Sequence, residues 1–136
     1  MTSITISTII NAPISKVWDY WTIPAHIEKW NAASADWESF DAKNDLRVGG
    51  EFSCTMAAKD RSAQFVFGGK YSAVAKHKLI AYSMSDGRKV SVQFEASAHG
   101  VRVTETFDAE NQNSLDLQRQ GWQAILDNFK RYAEQR

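Results

Sequence analysis

The spacing of apolar positions along this chain changes twice, and the changes divide it into three parts. From Thr2 to Ile10 apolar and polar residues alternate, with Ile4, Ile6 and Ile10 on one face, the period of a half-buried strand. Ala12-Pro13 ends that run. Pro13 suits the first turn of a short helix whose Ile14, Val17, Trp18 and Trp21 share one side, and Pro24 opens a second with Ile27 and Trp30 three apart. From Asp36 the period returns to two. Trp37 to Asp41 predicts a weak strand, the polar AKNDL stretch a turn, and Phe52, Cys54, Met56 and Ala58 one face of the next strand. The run from Ala63 to Lys76 carries Phe65, Phe67 and Tyr71, and Gly68-Gly69 in its middle predicts a bulge or bend. Leu79 to Met84 is a further strand, followed by Asp86-Gly87, a dipeptide that readily supplies the positive φ of a hairpin turn. Val90, Val92, Phe94, Ala96 and Ala98 alternate next. After the His99-Gly100 turn, so do Val101, Val103, Glu105 and Phe107.

The third part has a helical period. Leu115, Trp122, Ile125, Leu126, Phe129, Tyr132 and Ala133 recur at spacings of three and four, forming one wide apolar stripe. Gln118, Arg119, Gln123, Asp127, Lys130, Arg131 and Glu134 fall mostly on the other side. A helix from about Ser114 to Ala133 is predicted, with Asn113 as its N-cap, Asp116 in its first turn and Lys130, Arg131 and Arg136 near its end. The order of one strand, two short helices, about six antiparallel strands and one long helix describes an α+β domain spanning residues 1–136. Gly121 interrupts the helix, where it costs roughly 1 kcal/mol against Ala. It either borders a cavity or lets the helix pack closely on a bulky neighbour such as Phe94. Bends at Gly49-Gly50 and Gly68-Gly69 would curve the sheet and favour a cavity beneath the helix.

Composition narrows the partners. Sixteen Lys and Arg cancel sixteen Asp and Glu, without a run of one sign, which argues against nucleic acid or an anionic membrane surface. No apolar run is long enough to span a bilayer, and the first residues lack the charged and apolar regions of a signal peptide. Cys54 is alone, so no intrachain disulfide forms, as expected of a reducing cytoplasm. His26, His77 and His99 sit at helix or turn positions without ligand-like spacing, so surface residence and no metal are expected. The paired glycines match no phosphate loop or dinucleotide fingerprint, because neither pair opens a helix after a buried strand, and no cofactor is expected.

Four segments taken together resemble a known family. NAPISKVWDYWTIPAHIEKW resembles the AP-x-x-x-VW…P-x-x-I-x-x-W opening of the activator of heat-shock protein ATPase homologue branch of the START-like (SRPBCC, Bet v 1-like) superfamily. DLRVGGEF is similar to its RVGG strand start, GGKYSAV to its G-x-Y strand and GWQAILDNFKRY to its closing helix. The resemblance covers essentially the whole chain. It implies a helix-grip fold: a curved antiparallel sheet of about seven strands wrapped on a long C-terminal helix, with a hydrophobic cavity between them. Its members include lipid and sterol carriers, hormone receptors, aromatase/cyclase enzymes and a co-chaperone domain, so the resemblance specifies a container more closely than a function. The eukaryotic co-chaperone carries a separate domain before this one. Here the strand signal begins at Thr2, and that domain is expected to be absent.

The candidate ligand-binding side chains are Trp30, Phe52, Met56, Phe67, Tyr71, Phe94, Glu105, Gly121, Trp122 and Ile125. Most are aromatic or aliphatic, as pocket linings are. Glu105 is the exception. Alternation places it with Val101, Val103 and Phe107 on the face expected to be buried, where a carboxylate could orient a ligand or transfer a proton. Otherwise it pairs with an Arg or faces solvent near a strand end. Cys54 reads as a small core residue rather than a nucleophile, and no catalytic residue is assigned. Three functions remain open: a binding protein for a hydrophobic or amphipathic small molecule, a module that docks on a chaperone-type protein, and a small cyclase- or hydrolase-like enzyme. The chain is expected to act as a monomer or homodimer.

Overall fold

The computed structural model describes residues 2–135. Within them the chain forms β1 (Ser3–Ile10), α1 (Ile14–Thr22), α2 (Pro24–Trp30), β2 (Trp37–Asn44), β3 (Glu51–Ala58), β4 (Gln64–Ala75), β5 (Leu79–Met84), β6 (Lys89–Ser97), β7 (Gly100–Asp108) and α3 (Leu115–Glu134). The strands make one antiparallel sheet in the order β1-β7-β6-β5-β4-β3-β2. This is the expected α+β helix-grip arrangement. Arg136, read above as part of the basic last turn, lies outside the described residues.

Alternation decides which face of each strand is buried. Ile4, Ile6 and Ile10 of β1, and Val101, Val103, Glu105 and Phe107 of β7, are all buried, while Arg102 is exposed. The alternation of β6 stops mattering after Phe94. Ala96 and Ala98 are exposed, because the end of the β6–β7 hairpin overhangs the core. Two bulges bend the sheet, neither at a glycine pair. β2 continues to Asn44 rather than ending at Asp41, with a register shift between Phe40 and Lys43 that Asp41 makes at φ +54°. β4 shifts register between Tyr71 and Ala73. Gly68 and Gly69 stay in regular pairing with Ser53 and Phe52. Their role is clearance: a Cβ on Gly69 would sit 2.7 Å from the Ser83 carbonyl and 3.0 Å from the Phe52 ring, so the ring closes over bare backbone. Gly49, at φ +84°, belongs to the turn entering β3.

The long helix is tied to one edge of the sheet. Arg119 donates to the Thr5 carbonyl at 2.8 Å, Gln123 to the Ser7 carbonyl at 3.4 Å and Lys130 to the Ile9 carbonyl, while the Asn11 amide donates to Glu134 at 2.8 Å. Alternate carbonyls of an edge strand point away from its partner, and here the polar side of α3 occupies them. Ser114 rather than Asn113 caps the helix, accepting from the Leu117 amide at 3.1 Å. The apolar stripe also starts later than the spacing suggests. Leu115 and Leu117 are exposed because the first turn projects beyond the sheet, and Gln118 is buried, bonding to both the amide and the carbonyl of Glu110. From Trp122 onward the stripe packs down. Trp122 stacks on Phe107 at 3.9 Å between centroids and 8° between planes, and Leu126, Phe129 and Ala133 are buried.

Gly121 has no neighbouring atom within 4 Å of where a Cβ would stand, apart from its own helix, so it serves no close packing against Phe94. Gly121→Ala should therefore stabilise the protein by up to about 1 kcal/mol through helix propensity, read as a raised melting temperature. Truncation after Gln120 should instead abolish the cooperative transition, because it removes Trp122, Leu126 and Phe129 together. A sharp melt in the truncated chain would contradict this account of the core.

Candidate functional site

Backbone contacts of α3 fall on β1 and those of α2 on β2, the two edge strands. The inner strands are left partly uncovered, and a cavity of about 280 Å³ lies over them. Its floor includes Phe52, Cys54 and Met56 of β3, Phe67 and Tyr71 of β4, Ile80 and Tyr82 of β5 and Glu105 of β7. Trp21, Ile27 and Trp30 close one side and Trp122 and Ile125 of α3 another. Lys43 and Phe65 also line it and are exposed, so the cavity opens to solvent beside them.

Aromatic packing separates this cavity from the solid part of the core. Trp21, Trp30 and Phe129 meet edge to face or tilted, each pair 4.8 Å apart, and Trp21 and Trp18 also pack against Phe94. The Trp30 indole donates to the Tyr20 carbonyl at 2.8 Å, and Asn128 donates to the Trp30 carbonyl at 2.8 Å. These bonds fix the wall. On the floor, Phe52 packs against Phe67, Tyr71 and Tyr82, and the Tyr71 hydroxyl is 2.5 Å from Asn44.

Of the ten residues singled out from the sequence, eight line the cavity: Trp30, Phe52, Met56, Phe67, Tyr71, Glu105, Trp122 and Ile125. Phe94 does not, being enclosed by Trp18 and Trp21. Gly121 is not among the lining residues either, although it lies one turn before Ile125 on α3. Tyr82 and Arg88 are among the lining residues that sequence reasoning missed. The alternation Ile80, Tyr82, Met84 in β5 could have identified Tyr82. Arg88 follows a hairpin turn, where no periodicity shows its direction. His99 is exposed as expected, but the other two histidines are less superficial. His26 is half-buried and bonds the Tyr132 hydroxyl, and His77 packs edge-on against Trp18, because both elements fold back onto the aromatic core.

Glu105 is the chemically unusual residue. It sits on β7 between Ile6 of β1 and Val92 of β6 and is only 6% exposed. It lacks a hydrogen-bond partner among the described residues, and burial raises its carboxyl from 4.5 to about 8. Tyr82, 7% exposed, also lacks a partner. Burial first, then the nearby Glu105 charge, hold its hydroxyl well above the usual phenolic range. Every fully sealed side-chain N or O among the described residues has a partner, so the unpartnered groups of Glu105 and Tyr82 open onto the cavity. Asn31, Cys54 and Tyr71, the other deeply buried polar side chains of the lining, each have one. Burial also raises the Cys54 thiol, away from the thiolate a nucleophile needs.

The model of the Activator of Hsp90 ATPase homolog 1-like protein family matches residues 11–134. The chain belongs to this family. The AHSA1-like protein from Aeromonas hydrophila, solved in solution, is 47% identical over 98% of this chain and 92% of its own, with a TM-score of 0.92. Chr148 from Cytophaga hutchinsonii is 48% identical over the same shares, with a TM-score of 0.85. CV1439 from Chromobacterium violaceum, at 18% identity over 98% and 99% of the two chains, shares the fold with a TM-score of 0.88. No curated protein matches the sequence.

The pH dependence of stability tests the placement of Glu105. Below pH 4.5 it is protonated both folded and unfolded, so its full stabilising share is present. Between 4.5 and about 8 the unfolded chain releases the proton and the folded one keeps it. Stability from this group should therefore fall as pH rises through that window, by up to about 1.4 kcal/mol per unit, and level off above it. Glu105→Gln keeps the shape without the charge and should remove this part of the slope in urea unfolding followed from pH 4 to 9. An unchanged slope would place the carboxyl in solvent.

Proposed function

We propose that this member of the family binds a hydrophobic small molecule between its sheet and α3. The observation that carries this is the cavity itself: about 280 Å³, walled mainly by aromatic and aliphatic side chains, and open at one side. An apolar cavity of roughly 150 Å³ holds benzene in other proteins, and pockets for larger ligands begin near 300 Å³, so a compact molecule of two rings fits the space. Burial of an apolar ligand removes both its surface and the lining from water, which drives association without further contacts.

The family name suggests a second reading, a surface that docks on a chaperone. Ile9, Ile23, Val48, Phe65, Val66, Leu115 and Leu117 are exposed, and Leu115 and Leu117, two apart on a helix, do not share a face. Phe65 and Val66 are neighbours in one strand and point to opposite faces, so they do not make one apolar patch. The cavity therefore supports ligand binding better than this surface supports docking.

Native mass spectrometry of protein purified without denaturation should find a bound small apolar molecule. Naphthalene added to stripped protein should shift the amide resonances of the cavity lining in NMR spectra, and Ile125→Phe, which narrows the space, should weaken its binding several-fold. Finding no bound mass and no response to naphthalene would remove the proposal.

A further inference from the structure

Resting on that reading, we infer that Glu105 and Tyr82 form a polar pole in the cavity that receives the oxygen of a neutral ligand, selecting phenols and ketones over plain hydrocarbons and over carboxylates. Both side chains are more than nine-tenths buried, both line the cavity, and neither has a partner among the described residues. They project from β7 and β5 on the same concave face, with only β6 between them. Along that path Glu105 pairs with Val92 and Tyr82 with Val90. Of the rest of the nearby floor, Phe52, Phe67 and Ile80 offer nothing polar, and the hydroxyl of Tyr71, opposite Tyr82, is already bonded to Asn44 at 2.5 Å. A buried hydrogen-bonding group without a partner is costly, so a ligand that supplies the missing partner gains more than apolar contact alone.

The chemistry of the two groups specifies that partner. A tyrosine hydroxyl donates one hydrogen and accepts others, and a carboxyl in its neutral form does the same. A phenol or ketone oxygen can accept from one or both, and a phenol can also donate in return. A carboxylate would bring an unscreened negative charge beside a group that burial already keeps neutral. Two positive groups could reverse that preference. Arg88 lines the cavity but is held by Asp86 at 2.7 Å, and Lys43 stands at the open side, away from the floor. The pole therefore favours a neutral oxygen.

Three probes on one frame test this by NMR titration at pH 6.5: naphthalene, 2-naphthol and 2-naphthoate. 2-Naphthol should bind roughly tenfold more tightly than naphthalene, and 2-naphthoate more weakly than 2-naphthol. Tyr82→Phe and Glu105→Met should each reduce the ratio of 2-naphthol to naphthalene affinity severalfold, whatever either does to naphthalene binding itself. Glu105→Gln, which keeps a donor and an acceptor at that place, should retain most of it. Equal affinities for naphthalene and 2-naphthol would overturn the pole but leave the binding cavity standing. Tightest binding of 2-naphthoate would also overturn it and assign polar selection to Arg88 or Lys43. No binding of naphthalene would reject the cavity reading beneath it. Should Glu105→Met fail to fold, Tyr82→Phe, the loss of a single hydroxyl, still decides the question.

Discussion

The clasp between α3 and β1 determines where everything else can be. Thr5, Ser7 and Ile9 present their carbonyls outward from an edge strand, and Arg119, Gln123 and Lys130 of the helix take them up in order. An open strand edge is a template for unwanted pairing, so occupying it has value in its own right. It also has a geometric consequence. A helix of 20 residues is a rod about 30 Å long, while the sheet beneath it is bent at two bulges. A rod fixed along one edge of a bent sheet does not follow that surface inward. The cavity is the space that this mismatch leaves.

Two groups of aromatic residues then divide the space under the helix. Towards the C-terminal end of α3, Phe129 meets Trp21 and Trp30, and Trp18 and Trp21 pack against Phe94, so aromatic rings occupy the interior at that end. Nearer its start, the flat stack of Trp122 on Phe107 acts as a strut that holds the helix at ring thickness above β7. The rings of Phe52, Phe67, Tyr71 and Tyr82 pack against one another on the floor rather than upward against α3. Phe67 approaches Trp122 only at 6.5 Å, edge to face. Large side chains thus enclose a void here because their preferred contacts lie within the sheet surface.

The fold was legible because strands and helices carry different periods, and the inward set Val101, Val103, Glu105, Phe107 followed from alternation alone. Boundaries and bends were harder. Nothing in the composition of Asp41 or Ser72 distinguishes a bulge, whereas Gly68-Gly69 looked like one and instead makes room for the Phe52 ring. The polar side of α3 follows from its period, but not that Arg119, Gln123 and Lys130 turn to the β1 edge or that Gln118 is buried beneath the first turn. Hydrophobic period shows which side of a helix is apolar. It does not show which polar residues will meet unpaired backbone. The same limit hid Tyr82, whose hydroxyl matters only once β5 and β7 are known to share one concave face.

Glu105 is where local preference and the rest of the sheet disagree. Its neighbours across β1 and β6 are Ile6 and Val92, and along its own strand Val103 and Phe107 share its face. A Val or Ile there would fit the alternation, suit the strand and cost no desolvation. A carboxyl fits only by keeping its proton, and it still lacks an internal partner. Sequences that fold well satisfy their local rules almost everywhere, and departures without a structural gain gather at functional places. Glu105 is such a departure: it stabilises no turn, cap or ion pair among the described residues. The only space its carboxyl reaches is the cavity, so the reason for its presence is to be sought in what the cavity holds.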